Sequence, residues 1–404
     1  MSFYFKINRV LHSIFFIKNV KIYLSYFSIF KFYNNPMFKK RLLFCVLIFF
    51  SYISFSQIME NTNLDSNLTD FEINFHDSII LINKYNELIF NSRKEYNYGI
   101  EHFNNNNLDD AIKCFSNAIL IDSTFSMAYF YRAKCYDILN NSLSIIDYNK
   151  AFRYDSTDFS PLYAIASIKS SSDIQEAINI YNFIVSSNKY ESKAYYELGV
   201  LFYTQMYYHK AINAFTSSIN IKQDARVYND RASCYRMLAN IDLAIKDYTT
   251  AATLDSTLAF ISNNLGSIYK NMDNVDSALY YYNLAIYNDS NYIHAINNRG
   301  GLYIDLNYFE KAIIDINKVL SIDNKYAPAY NNKAVICYKK QEYNQALNFF
   351  DIAISLDSSY AKAFLNRGIV KQVLRNDEGA CKDWNKASQL GIHLAKKYFL
   401  NDCK

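Results

Sequence analysis

Along most of the chain, apolar positions recur at spacings of three and four, the mark of a single buried helix face. A small residue stands at Ala111, Ser144, Ala177, Ala211, Ala244, Ala278, Ala312, Ala346 and Ala380, every 33 or 34 residues. Four residues after each comes a large apolar side chain, from Phe115 and Tyr148 to Phe350 and Trp384, and three later a further small or aliphatic one, from Ala118 to Ala387. About twelve residues earlier lies another small residue, at Gly99, Ala133, Ala166, Gly199, Ala232, Gly266, Gly300, Ala334 and Gly368. The spacing predicts two helices per period. A mid-helix glycine costs ~1 kcal/mol relative to alanine, so its recurrence predicts a neighbouring helix close against the backbone.

This order of small residue, aromatic, alanine and large residue resembles the tetratricopeptide repeat, whose 34-residue helix-turn-helix unit it matches in length. The resemblance covers residues 92 to about 391 in nine units, of which the third (159–190) has a weak first helix. It implies an all-α fold, an α-solenoid whose units bury their faces against their neighbours, closed by a capping helix over 392–404. Between units, where the family often has proline, the chain has Ser123, Ser156, Ser256, Ser290, Asn324 and Ser358, which are expected to cap the next turn. Residues 57–91 read as a polar linker followed by a leading helix, SIILINKYNELIF, over 78–90.

The first 56 residues carry eight basic residues and no acidic one. From Met37, a basic stretch (Lys39, Lys40, Arg41) precedes an apolar run over Leu42 to Tyr52, with Ser54 and Ser56 in cleavage positions. Residues 37–56 resemble a bacterial secretory signal peptide, and the run falls short of the ~20 residues of a membrane span. Residues 1–36 are then expected to be a non-native extension. Cys45 follows the bulky Phe44 and is not expected to be lipidated. Export places the protein in the periplasm, at the outer membrane or outside the cell, with membrane involvement only through export or an envelope complex. Removing residues 1–56 turns the net charge from +4 to −4. With no basic field or run left, nucleic acid is excluded as a partner.

With the two small residues numbered 8 and 20 in each unit, arginine stands at position 7 in four units: Arg132, Arg231, Arg299 and Arg367. The same four carry aspartate at position 23: Asp147, Asp247, Asp315 and Asp383. The coupling predicts structural ion pairs between the helices of one unit. In the eighth unit Lys333 has no such acid, since Phe349 occupies position 23. Cys135, Cys234 and Cys337 fall at core positions. Cys381 and Cys403 lie ten residues before and twelve after Gly391. On antiparallel helices they would meet, and DEGACKDWNKASQLG with its terminal cysteine resembles the closing unit of exported bacterial tetratricopeptide proteins. A Cys381–Cys403 disulfide is therefore expected.

The scattered histidines show no metal spacing, and there is no nucleophile elbow or phosphate-binding glycine loop. No enzyme activity, cofactor, metal or small-molecule substrate is expected, and acids such as Asp109 and Asp110 read as helix-start residues. The family resemblance implies a protein-interaction scaffold that binds a protein or peptide partner on the concave face of its first helices. At position 6 of four successive units stand Asn264, Asn298, Asn332 and Asn366, flanked by Asn263, Asn297, Asn331, His294 and Lys362. The row is similar to the asparagine ladder of repeat-bearing glycosyltransferases, which implies amides gripping a peptide main chain. An architectural subunit working through its convex face and the regulatory module of a larger enzyme are the alternatives.

Overall fold

The structure, a computed structural model, describes residues 68–403. Among the described residues there are nineteen helices and no strand. They are α1 (Leu68–Asn104), α2 (Leu108–Ile121), α3 (Ser126–Ile138), α4 (Leu143–Tyr154), α5 (Ser160–Ser172), α6 (Ile174–Ser187), α7 (Ser192–Thr204), α8 (Tyr208–Ile221), α9 (Ala225–Met237) and α10 (Ile241–Leu254). There follow α11 (Ala259–Asn271), α12 (Val275–Asn288), α13 (Ile293–Asp305), α14 (Phe309–Ile322), α15 (Ala327–Lys339), α16 (Tyr343–Leu356), α17 (Ala361–Val373), α18 (Asp377–Gln389) and α19 (His393–Asp402). The chain divides into two compact units, Met1–Asn91 and Ser92–Lys404. The second is an all-α solenoid of nine helix pairs closed by α19. The export signal expected over 37–56, and the extension before it, lie outside the described residues.

The start of the helical region differs from expectation. No separate leading helix occurs: α1 runs unbroken from Leu68 to Asn104, so the stretch read as linker over 57–76 is helical from Leu68 onward. No proline or glycine interrupts the sequence between Leu68 and Tyr98, and nothing therefore breaks the run of backbone hydrogen bonds.

In the first, fourth, sixth and ninth pairs, the ring at position 24 of the second helix lies on the glycine of the first. A Cβ added at Gly266 would sit 2.7 Å from Cδ1 of Tyr282, and one at Gly368 2.5 Å from Nε1 of Trp384. The rings themselves are sealed: Phe115, Tyr148, Phe215, Tyr248, Tyr282, Phe350 and Trp384 are all at most 2% exposed. Cys135 and Cys234 share this interior. Burial pushes their thiols up to about 11 and about 12, so both stay protonated near neutrality.

Two kinds of turn join the helices. After the first helix of eight pairs, one residue turns left-handed, with φ of 58–61° at Asn106, Met206, Ala239, Asp273 and Asn307 and 52–65° across all eight. At Met206 this lets the Tyr207 N–H reach Phe202 O (2.8 Å) and the Met206 N–H reach Tyr203 O (2.9 Å), which satisfies two terminal carbonyls. The third pair dispenses with it, because Asp173 both ends α5 and caps α6, accepting from the Glu176 N–H at 3.1 Å. Between pairs, the capping group is the aspartate just before the serines named from sequence. Asp122, Asp155, Asp255, Asp289, Asp323 and Asp357 each accept from the backbone N–H two residues on, at 2.8–3.1 Å. A carboxylate is the stronger acceptor, and one residue earlier it has the reach for this turn.

Each position-7 arginine makes a two-pronged bond to its aspartate. Arg299 places Nε 2.8 Å and Nη2 2.6 Å from the carboxylate oxygens of Asp315, and Arg132–Asp147, Arg231–Asp247 and Arg367–Asp383 repeat this geometry. The aspartate side chains are 4–6% exposed and the arginines 15–21%. Each guanidinium also donates through Nη1 to the second helix of the preceding pair, at Ser116, Thr216, Asn283 or Asp351. In the eighth pair the Lys333 ammonium lies 4.9 Å from the Phe349 ring centre, a cation–π contact where the others have a carboxylate.

At the C-terminus Cys381 of α18 is disulfide-bonded to Cys403 behind α19, with Cα atoms 5.6 Å apart. Ala395, Tyr398 and Phe399 of the cap cover Trp384 and Ala387. Asp315→Ala is expected to destabilise the seventh pair by about 3 kcal/mol, since it strands a half-buried guanidinium. Hydrogen exchange of α13 and α14 measures this, and a loss below ~0.5 kcal/mol would mean that solvent already weakens the pair. Cys403→Ser opens a loop of 22 residues, worth about 3 kcal/mol by chain entropy. Exchange of α19 should rise accordingly, and an unchanged rate would show that packing alone holds the cap.

Candidate peptide-binding groove

First helices of successive pairs touch one another directly: α11 packs on α13, α13 on α15 and α15 on α17, whereas no two successive second helices pack to that extent. The first helices therefore form the inner wall of the solenoid's curve, and their position-6 residues lie on it in a row.

The asparagines of that row bond each other across the repeats. Nδ2 of Asn264 donates to Oδ1 of Asn229 (2.9 Å), that of Asn298 to Asn263 (2.9 Å), that of Asn332 to Asn297 (2.9 Å) and that of Asn366 to Asn331 (3.0 Å). Each rung thus joins position 6 of one unit to position 5 of the unit before. Asn229, Asn263, Asn297 and Asn331 are only 5–8% exposed. Three residues named from sequence as groove residues, Asn263, Asn297 and Asn331, are thus buried, because their carbonyl oxygens serve as the acceptors of the ladder. Asn264, Asn298, Asn332 and Asn366 remain half-exposed. Asn264, Asn298 and Asn366 each keep one N–H and the carbonyl oxygen beyond the rung, whereas the Asn332 amide also accepts from Nδ2 of Asn331 (3.5 Å) and donates to Asn297 O (3.3 Å).

The orientation of the ladder is set at its N-terminal end. Asp230, at position 6 of the fifth unit, accepts from the Tyr196 hydroxyl (3.0 Å) and from Nδ2 of Asn229 (3.0 Å). An ionised carboxylate can only accept, so the Asn229 amide must turn its nitrogen to Asp230 and its oxygen to Asn264. Burial raises the Asp230 carboxyl above the usual range, and these two hydrogen bonds oppose the rise. Glu197, at the same position one unit earlier, is raised by burial as well, with Lys193 acting against it. Asn229, missed from the sequence, carried a signal, since asparagine recurs at position 5 at one-repeat intervals from Asn229 to Asn331.

Further contacts brace the wall. Lys270 pairs with Asp305 (2.8 Å), and Lys339 donates to Ile304 O (3.1 Å) and to Asn307 (2.9 Å). His294 lies 3.1 Å from the Tyr326 hydroxyl, beside the helix starts. Lys362 is exposed at the second residue of α17. Gly301 leaves a gap in the lining: a Cβ there would meet nothing nearer than Nδ2 of Asn332 (3.7 Å) and Nζ of Lys270 (3.8 Å). Among the described residues, no His, Cys, Asp or Glu side chains gather as a metal would require, and no helix is long and apolar enough to cross a membrane.

The tetratricopeptide repeat family model matches residues 225–258, 261–292, 293–326 and 327–360, which span the fifth to eighth pairs. These four segments are tetratricopeptide repeats. Repeats of this family build protein-interaction scaffolds, and that is the class the fold defines. Among solved structures, the chain is similar to the Cut9–Hcn1 hetero-tetramer of the APC/C, with a TM-score of 0.52 and 15% identity over 78% of this chain and 76% of that one. It is also similar to a tetratricopeptide repeat protein of Parabacteroides merdae ATCC 43184, with a TM-score of 0.53 and 16% identity over 60% of this chain and 97% of that one. At such identities the likeness is one of fold. No curated protein sequence matches the chain.

The ladder predicts an asymmetry between two substitutions. Asn298→Asp sets a carboxylate against the Asn263 carbonyl oxygen and should destabilise by about 1 kcal/mol more than Asn298→Ala, which only removes the rung. Urea denaturation compares the two. Equal losses would mean that the Asn298 nitrogen is not the group facing Asn263.

Proposed function

We propose that this protein is a non-enzymatic scaffold of the bacterial cell envelope that holds an extended peptide segment of a protein partner along the concave wall of units six to nine. The observation that carries the reading is the ladder itself. Four amides stand in register, each held at one side by its neighbour; three of them, Asn264, Asn298 and Asn366, offer a donor and an acceptor to whatever lies against them, and a peptide main chain supplies the complementary pair regardless of its side chains. Holding the amides in place beforehand lowers the ordering cost of binding. Placement in the envelope rests on the resemblance of residues 37–56 to an export signal and of the closing unit to exported tetratricopeptide proteins. The net charge of −4 left without residues 1–56 gives no general attraction to nucleic acid.

Gly301→Leu tests the groove without removing a rung. The added side chain has room, and leucine favours helix by ~1 kcal/mol over glycine, so the fold should not suffer. A partner is captured from envelope extracts by crosslinking and purified. Its affinity for the variant should fall at least tenfold with no drop in the melting temperature. An unchanged affinity would remove the concave wall as the binding surface.

A further inference from the structure

The loop between the fourth and fifth pairs departs from every other loop between pairs. Where a second helix ends, the residue behind it is aspartate six times (Asp122, Asp155, Asp255, Asp289, Asp323, Asp357) and asparagine once (Asn188). Behind α8 it is Lys222. A lysine cannot accept the backbone N–H two residues on, so that turn is absent here. The loop is also shorter, with α9 starting at Ala225 and Asp224 capping it by accepting from the Arg226 N–H at 2.8 Å.

The change opens a cavity of about 260 Å³ between α7, the end of α8 and the start of α9. Lys193, Lys222 and Arg226 line it together with Ser192, Tyr196 and Asp224. All three cations are exposed at the rim, and none has a carboxylate within ion-pair distance among the described residues. Lys193 rests on the Tyr163 ring at 4.5 Å. The one lining carboxylate, Asp224, is engaged as the helix cap. Of the nearby acids that these cations act on, Asp230 has a hydrogen bond on each oxygen, Asp255 is occupied by Thr257, and Glu197 is raised by burial with Lys193 acting against it. Arg226 and Lys193 each stand at the second residue of a helix, where the helix dipole disfavours a cation and favours an anion.

We infer that this cavity binds an oxyanion, a carboxylate or a phosphoryl group, held by the Arg226 guanidinium and the Lys222 ammonium with Lys193 at its edge. The site adjoins the N-terminal end of the asparagine row, since Tyr196 lines the cavity and bonds Asp230, but it does not rest on the groove reading.

The test is titration of the protein with sodium phosphate and, separately, sodium acetate at constant ionic strength set by chloride, followed by the amide resonances of Ser192 and Arg226. Saturable shifts with either anion are expected. They should weaken at least tenfold in Lys222→Asp, which installs the residue of the other loops, and in Arg226→Gln, both with unchanged circular dichroism. Gly301→Leu should bind as the parent does. Saturation by phosphate alone identifies a phosphoryl site, and saturation by acetate a carboxylate site. Shifts no larger than those with chloride, or two variants that bind like the parent, would overturn the assignment.

Discussion

The solenoid depends on one contact repeated nine times, a large side chain of the second helix laid on the small residue of the first. At Gly266 and Gly368 the ring occupies the space a Cβ would need, so the two helix axes approach as closely as the backbone permits. No central core backs this contact up, because each pair touches only its neighbours. Where glycine gives way to alanine, as at Ala133 or Ala334, the pair still closes and the residue remains fully buried. At Gly300 the partner is the slimmer Ile316, and the glycine has the most room.

Polar bonds are added to that frame in a definite pattern. The arginine fork fixes the two helices of a pair and reaches with its third arm to the pair before, so one side chain serves both levels of the architecture. The asparagine rungs do the same on the inner wall. A buried amide must be bonded, and here each one's partner is another amide one repeat away. The wall is thereby given a regular, oriented set of polar groups.

The period, the two helices and the close approach were legible because they follow from residue size at fixed spacing. The ion pairs were legible for a different reason: arginine and aspartate appear together or not at all, which within one chain is a record of contact. Other features hid behind residue types that suit several roles. Met206, Ala239 and Arg375 adopt the left-handed turn with no glycine to announce it, since the Schellman hydrogen bonds outweigh their local strain. The pairing of Asn298 with Asn263 requires knowing that position 6 of one unit meets position 5 of the last, a matter of helix rotation that spacing alone does not give. The loop at Lys222 was visible only as an exception, and exceptions gain meaning once the rule, an aspartate-headed turn, is seen in three dimensions.

The uneven distribution of these bonds gives the solenoid the character of a spring wound from two wires. From the fourth pair onward, amide rungs, arginine arms or lysine braces cross each boundary between neighbours. Between the second and third pairs the contacts are aromatic and aliphatic, as where Phe152 meets Phe159 and Phe183. Apolar surfaces slide with little penalty, whereas directional bonds resist shear until they break. Under tension the second and third pairs would therefore part first, since Arg132 ties the second pair to the first and Tyr163 reaches Glu191 before the fourth, and the C-terminal coils, stapled at their far end by Cys381 and Cys403, would keep their pitch.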